Sequence, residues 1–229
     1  MNTFSTQPIE GAIIRDRSEF MNKVFLTFAF ILAIATLGAY GGIVFYSSNI
    51  QMLGSPVLTW GPFLMLLGLT FTMHVWGQKA PLNFALGSLT AALCGFITTP
   101  LLLVAIGVGG LFLPVKALIV SVCVFTAAAM MGWITKKDMS TWGGMLSISV
   151  LAIIVTSLVN VFFLRSTVMS MVIDSVMILV FTLFTAYDVQ SIKERYPDNM
   201  AMTAALSLFL DFLNLFQSIL HLLISLQRD

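Results

Sequence analysis

The sequence predicts an all-α integral membrane protein, a bundle of seven transmembrane helices, and three observations predict it. The chain of 229 residues is 59% hydrophobic and only 9% charged, against about 25% charged in a soluble domain. Its mean hydropathy of +0.99 leaves too little polar surface to cover a water-soluble globule, so the bilayer must solvate most of it. Turn-forming and charged segments cut the apolar sequence into pieces close to the roughly 20 residues that cross a hydrocarbon core.

Residues 1–23 are the only long polar segment, with Glu10, Arg15, Asp16, Arg17, Glu19 and Lys23. They read as a polar cytoplasmic tail, and 1–15 hold too little apolar surface for a packed domain. Residues 24–229 then form the transmembrane domain. A secretory signal would put a short apolar run and a small-residue cleavage site near the start. The first apolar run instead begins after Lys23 and is long enough to span, so it is expected to be a retained helix.

No charged residue lies between Lys23 and Lys79, a stretch too long for one helix. Ser47-Ser48-Asn49 and Gly54-Ser55-Pro56 supply turn chemistry that divides it. Helix one covers about 24–46 and helix two about 57–76, with Trp60 and Trp76 expected near opposite interfaces. Lys79-Ala80-Pro81 opens a turn before helix three, about 83–105, in which Pro100 is expected to kink the outer third. Gly107, Gly109, Gly110 and Pro114 mark the next break. Helix four covers about 115–134, and Lys136-Lys137-Asp138 is a charged loop. Helix five covers about 143–164 and closes at Arg165; helix six covers about 168–193. The turn from Lys193 to Asn199 leads into helix seven, about 201–226.

Orientation follows from Lys and Arg. Arg15, Arg17, Lys23, Lys79, Lys136, Lys137, Lys193 and Arg195 fall on one side; Lys116, Arg165 and Arg228 make up the rest of the eleven. The richer side is cytoplasmic, which places the N-terminus inside and, after seven spans, the C-terminus outside. No internal repeat is visible, which argues against an inverted-repeat transporter.

Several function classes lose support. A net charge of +1 with no basic run points away from nucleic acid. The two cysteines, Cys94 and Cys123, sit in apolar stretches and read as small core residues. No Cys/His cluster has metal-ligand spacing. No GxSxG, HExxH, phosphate loop or catalytic Ser/His/Asp order is present, so no enzyme, cofactor or bound metal is expected.

Three carboxylates fall inside the apolar spans: Asp174, Asp188 and Asp211. A charge near the bilayer centre costs about 2.5–3.5 kcal/mol on insertion scales, so such groups face a bundle interior or water. Helices six and seven should form an antiparallel hairpin turning near Asn199. Asp188 lies eleven residues before that point and Asp211 twelve after, so the two reach nearly the same depth. Close carboxylates resist double ionisation and can share a proton. A static hydrogen-bonded anchor is the alternative reading. On helix seven, Ser207, Asp211, Asn214, Ser218, His221 and Ser225 recur at steps of four and three and fall on one narrow arc. Such a stripe faces either a cavity or polar contacts with neighbouring helices. Asp174 lies fourteen residues before Asp188, on roughly the same face, with Met177 and Phe181 between them. That layout fits either a gated cation path or a residue simply close to the outer interface. His74 and His221 read first as hydrogen-bonded packing residues.

Four stretches carry a resemblance: FMNKVFLTFAFILAIATLGAY at 20–40, TKKDMSTWGGML at 135–146, FTAYDVQSIK at 184–193 and ALSLFLDFLNLF at 205–216. They resemble the Bax inhibitor-1 family, in the order in which the family shows them, and its bacterial branch in particular. The resemblance implies a seven-helix bundle with the last helix enclosed by the other six, in the bacterial inner membrane. It also implies a pH-sensitive calcium leak whose sensor is an aspartate pair, here Asp188 and Asp211. Some family members carry an arginine at the inner end of helix two. This sequence has HVWGQKA at 74–80, with His74 and Lys79 and no arginine there. Asp174 belongs to none of the four stretches.

The leading expectation is a pH-regulated cation leak, with Ca²⁺ as the transported ion. The rival is a regulatory partner of a membrane-bound ATP-dependent protease, or of another membrane complex, acting without transport. The polar N-terminal tail would serve that second role.

Overall fold

The computed structural model describes residues 9–228, and side chains from Arg17 to Gln227 apart from Thr59 and His74. Residues 1–8 of the expected tail and the His74 side chain therefore lie outside the described residues. Every regular element described is helical. The helices are α1 (Ile9–Ser48), α2 (Pro56–Phe71), α3 (Met73–Trp76), α4 (Leu82–Gly109), α5 (Phe112–Ile134), α6 (Trp142–Val159), α7 (Thr167–Arg195) and α8 (Ala201–Arg228). Six of the eight are long and apolar enough to cross a membrane; α2, with 16 residues, is shorter.

The breaks fall near where Gly, Pro and charge put them, with four differences. α1 begins at Ile9, inside the stretch read as a polar tail, so the first span continues into that segment as one helix. Helix two is interrupted at Thr72, whose hydroxyl donates to Gly68 O at 2.7 Å and so competes with the backbone ladder. α4 runs on through Pro100 to Gly109. α6 ends in a π turn, Asn160–Leu164, closed by Arg165 in the left-handed region at φ 50°.

Trp76 is 3% exposed, so its ring packs inside the bundle. Its indole N–H donates to Leu69 O and Thr72 Oγ1, both at 3.2 Å, across the α2–α3 break. Cys94 is buried as expected, but Cys123 is exposed on the outside of α5.

Lipid tails are as apolar as leucine, so membrane helices associate through close packing of small residues. α1 and α4 pack this way. A Cβ on Gly38 would collide with the backbone of Ala92, and one on Gly95 with the backbone of Ala35. α5 and α7 meet similarly, with Gly132 against the backbone of Ala186. α8 packs against α1, α4, α5 and α7. Half of its most apolar stretch is buried, against 11% in α1 and 17% in α7. Its Leu206, Leu208, Phe209 and Leu215 form the core with Val24 and Ile31 of α1. Beside them Phe28, Phe125 and Phe212 join α1, α5 and α8, with centroids 5.4–6.3 Å apart.

Candidate functional site

α7 and α8 form the antiparallel hairpin that carries all three intramembrane carboxylates. Pro197 is extended, a single 3-10 turn follows at Asp198–Met200, and α8 begins at once. This tight reversal brings Asp188 and Asp211 to one end of the hairpin. Asp211 is 5% exposed, and its Oδ2 is buried with no hydrogen-bond partner among the described residues. Asp188 is partly buried. Tyr196 stands in the turn between the two helices. Its phenol is pushed up from its ordinary value chiefly by burial, tempered by Ser207 Oγ at 3.5 Å, and pushed further by Asp188, Tyr187 and Asp211.

A carboxylate oxygen buried without a partner carries a desolvation penalty of about 1–3 kcal/mol or more. A proton, a water molecule or a cation relieves it. Asp211 Oδ2 is therefore a place where a proton or a cation is favoured.

The end of α7 beyond Asp188 is fastened on several sides. Gln190, 1% exposed, donates from Nε2 to Thr135 O at 3.1 Å and Lys137 O at 2.9 Å, and its Oε1 accepts from Met139 N–H at 2.8 Å. Lys193 donates to Trp133 O at 3.0 Å and lies over the Trp133 ring. Arg195 lies 3.8 Å from Asp138. The Asp138 carboxyl is held below its ordinary value first by the Ser140 N–H and hydroxyl and more weakly by Arg195. From α1, Arg17 donates to Tyr196 O at 2.8 Å and to Glu194 O at 3.4 Å, and lies 3.7 Å from Asp198. Sequence reasoning did not single out Gln190, Arg17 or Tyr196. Gln190 does lie within the 184–193 stretch, and a lone amide two residues after Asp188 was the available signal.

At the other end of the hairpin, Asp174 and His221 are joined. Asp174 is 8% exposed, and its Oδ2 lies 2.6 Å from His221 Nδ1. The sequence placed these residues separately; the structure makes them one hydrogen-bonded pair between α7 and α8. Met177, partly buried, and Phe181, 7% exposed, separate that pair from Asp188 along α7. On the α8 stripe Ser218 and Ser225 are buried at 5% and 6%, while Ser207 and Asn214 are partly buried. Gln217, outside the stripe, donates to Thr98 Oγ1 at 2.7 Å and ties α8 to α4. No group of three or more His, Cys, Asp or Glu among the described residues has the arrangement of a metal site.

Comparison with known proteins places this geometry in context. A family model described as "Inhibitor of apoptosis-promoting Bax1" matches residues 17–228. An uncharacterized protein of Campylobacter jejuni is 33% identical over 220 residues, covering 95% of this chain and 93% of its own. An uncharacterized membrane protein of Streptococcus pyogenes is 33% identical over 179 residues, covering 75% of this chain and 76% of its own. A Golgi anti-apoptotic protein of vaccinia virus is 28% identical over 219 residues, covering 94% and 89%.

Proposed function

This chain belongs to the Bax inhibitor-1 family of membrane proteins, and we propose that it is a pH-regulated cation leak for Ca²⁺ in the bacterial inner membrane. In this reading α2 completes a seven-span bundle around α8, the N-terminus is cytoplasmic and the C-terminus is outside. Asp188 and Asp211 are the proton sensor and part of the cytoplasmic-side gate. The chain has no catalytic role and needs no cofactor.

The observation that carries the reading is the buried oxygen of Asp211, with no hydrogen-bond partner among the described residues, on the hairpin that also holds Asp188. With one proton between them, the carboxylates can hold α7 against α8. Loss of that proton leaves two like charges. A separation of about 4 Å, at an effective dielectric of 20, would give roughly 4 kcal/mol of repulsion. That is enough to shift a two-state equilibrium whose states differ by a few kcal/mol. The helices then part, or a cation enters to compensate. Asp174 and His221 lie farther along the same hairpin, beyond the apolar Met177 and Phe181, in the position of an outer polar station on such a path.

The test is Ca²⁺ flux through the purified chain in liposomes across pH. Asp188→Asn and Asp211→Asn should each flatten the pH dependence, and the double substitution should add little, because the pair titrates as a unit. If both single variants keep the wild-type profile, the aspartates are structural.

A second reading, a regulatory partner of a membrane protease or other membrane complex, draws on Arg17. A partner bound to the N-terminal segment would pull on the turn that Arg17 grips. Deleting residues 1–15 should abolish that role and spare a leak, whereas Asp211→Asn should do the reverse.

A further inference from the structure

The ends of α6, α7 and α8 opposite the aspartate pair enclose a cleft of about 400 Å³ lined almost wholly by polar side chains. Its frame is Asn160, 4% exposed, in the π turn after α6. Asn160 Nδ2 donates to Ser166 O at 3.2 Å and Ser170 Oγ at 2.9 Å, and its Oδ1 accepts from Ser166 N–H at 3.1 Å. The Arg165 N–H donates to Asn160 O at 2.6 Å. These bonds hold Arg165 at φ 50°, a conformation uncommon outside glycine.

What faces the cleft is a set of donors. The Arg165 guanidinium makes no ion pair or hydrogen bond with any described residue, and Arg165 lines the cleft. The first turn of α7, a helix of 29 residues, starts there with Thr167; Ser166 Oγ caps the Met169 N–H at 3.3 Å, which leaves the N–H groups of Thr167 and Val168 and the helix dipole to favour an anion. Ser225 lines the opposite wall from α8; it is 6% exposed and makes no hydrogen bond among the described residues. His221 also lines the cleft, but its Nδ1 is engaged by Asp174. Among the described residues no carboxylate lines the cleft, and Asp174 lines a separate pocket with Ile153 and Met177.

We propose that this cleft binds a phosphate oxyanion, held by Arg165, the α7 N-terminus and the Ser225 hydroxyl. Guanidinium recognises phosphate through its planar fork, and donors arriving from three elements suit a tetrahedral anion better than a planar one. The phosphate can belong to a soluble ion or to a phospholipid headgroup. The site is separate from the aspartate pair, and of its lining only His221 is shared with the outer polar station proposed above.

The experiment uses the full chain purified in detergent, with two arms. One titrates inorganic phosphate by calorimetry. The other counts phosphatidylglycerol retained by the chain in native mass spectrometry after graded delipidation. Wild type should bind in at least one arm. Arg165→Gln should weaken that binding by about tenfold or more, Arg165→Lys should restore part of it, and Ser225→Ala should weaken it by about fivefold. Binding of inorganic phosphate alone supports a soluble ligand, and retention of phosphatidylglycerol alone supports a lipid. No wild-type binding in either arm overturns the proposal, as does wild-type affinity in both Arg165→Gln and Ser225→Ala. Should Arg165→Gln fail to fold, Ser225→Ala and Arg165→Lys decide the matter on the same criteria.

Discussion

Replacing Gln190 with leucine keeps its volume and apolar fit but removes every bond that α7 makes to the α5–α6 loop through this side chain. Three groups lose their partner: the Met139 N–H and the carbonyls of Thr135 and Lys137. Met139 is 3% exposed, so its N–H cannot turn to water and costs about 1–3 kcal/mol. Lys137 is exposed and Thr135 partly so, and their carbonyls can rehydrate. Those two bonds count only for their net worth, about 0.5–1.5 kcal/mol each. The total is roughly 4 kcal/mol, near the upper end for single substitutions. Gln190→Glu sharpens the case. It keeps an acceptor for Met139 but turns a charged oxygen toward two carbonyls, so it should be worse than leucine at neutral pH. Protonation at acid pH restores one donor and should recover part of the loss. Thermal unfolding in detergent measures stability, and maleimide labelling of a cysteine placed at 137 measures loop release. If both variants unfold like wild type and label at its rate, the loop is held by something other than Gln190.

Three further outcomes are expected. A reporter fused after Arg228 should read as outside and a label at 137 as inside; both ends on one face would rule out seven spans. Burial of Tyr196 favours its neutral phenol in the folded chain, so stability is intact below the ordinary value of 10.0 and lost as pH rises above it. Scanning fluorimetry should show wild type losing stability relative to Tyr196→Phe only in that alkaline range, and parallel curves would contradict it. Asp174→Asn and His221→Gln should couple in a double-mutant cycle by about 1 kcal/mol, a modest value because the His221 side chain is 46% exposed. Strictly additive effects would mean that the contact contributes nothing.

Much of the helical layout was legible because turn chemistry and charge interrupt an otherwise apolar chain. The start of α1 was not, since Arg15, Arg17 and Glu19 are good helix formers that carry no apolar stripe. The break at Thr72 was hidden for another reason: a threonine hydroxyl can cap or continue a helix, and tertiary packing decides which. In the site, hairpin arithmetic brought Asp188 and Asp211 to one depth. The same arithmetic carried outward from that pair reaches Asp174 on α7 and, within one helical turn, His221 on α8, so that pairing was readable too. Arg17 was beyond such reasoning, because its partners stand 177 and 179 residues away. The π turn at 160–164, and with it the strained Arg165, has no signature in residue spacing.

The fastening of α7 has a consequence for how this chain can change over time. Gln190, Lys193 and Arg17 grip main-chain atoms of residues 133, 135, 137, 139, 194 and 196. Almost any amino acid at those positions presents the same oxygen or N–H. Substitutions there can accumulate without a compensating change at the gripping residue, provided that the loop keeps its length. A deletion or insertion of one residue between Trp133 and Met139 would shift several of these atoms at once. Drift in side chains should therefore be tolerated at 135 and 137, less so at Trp133 and Met139, whose side chains are engaged, and drift in length should not be.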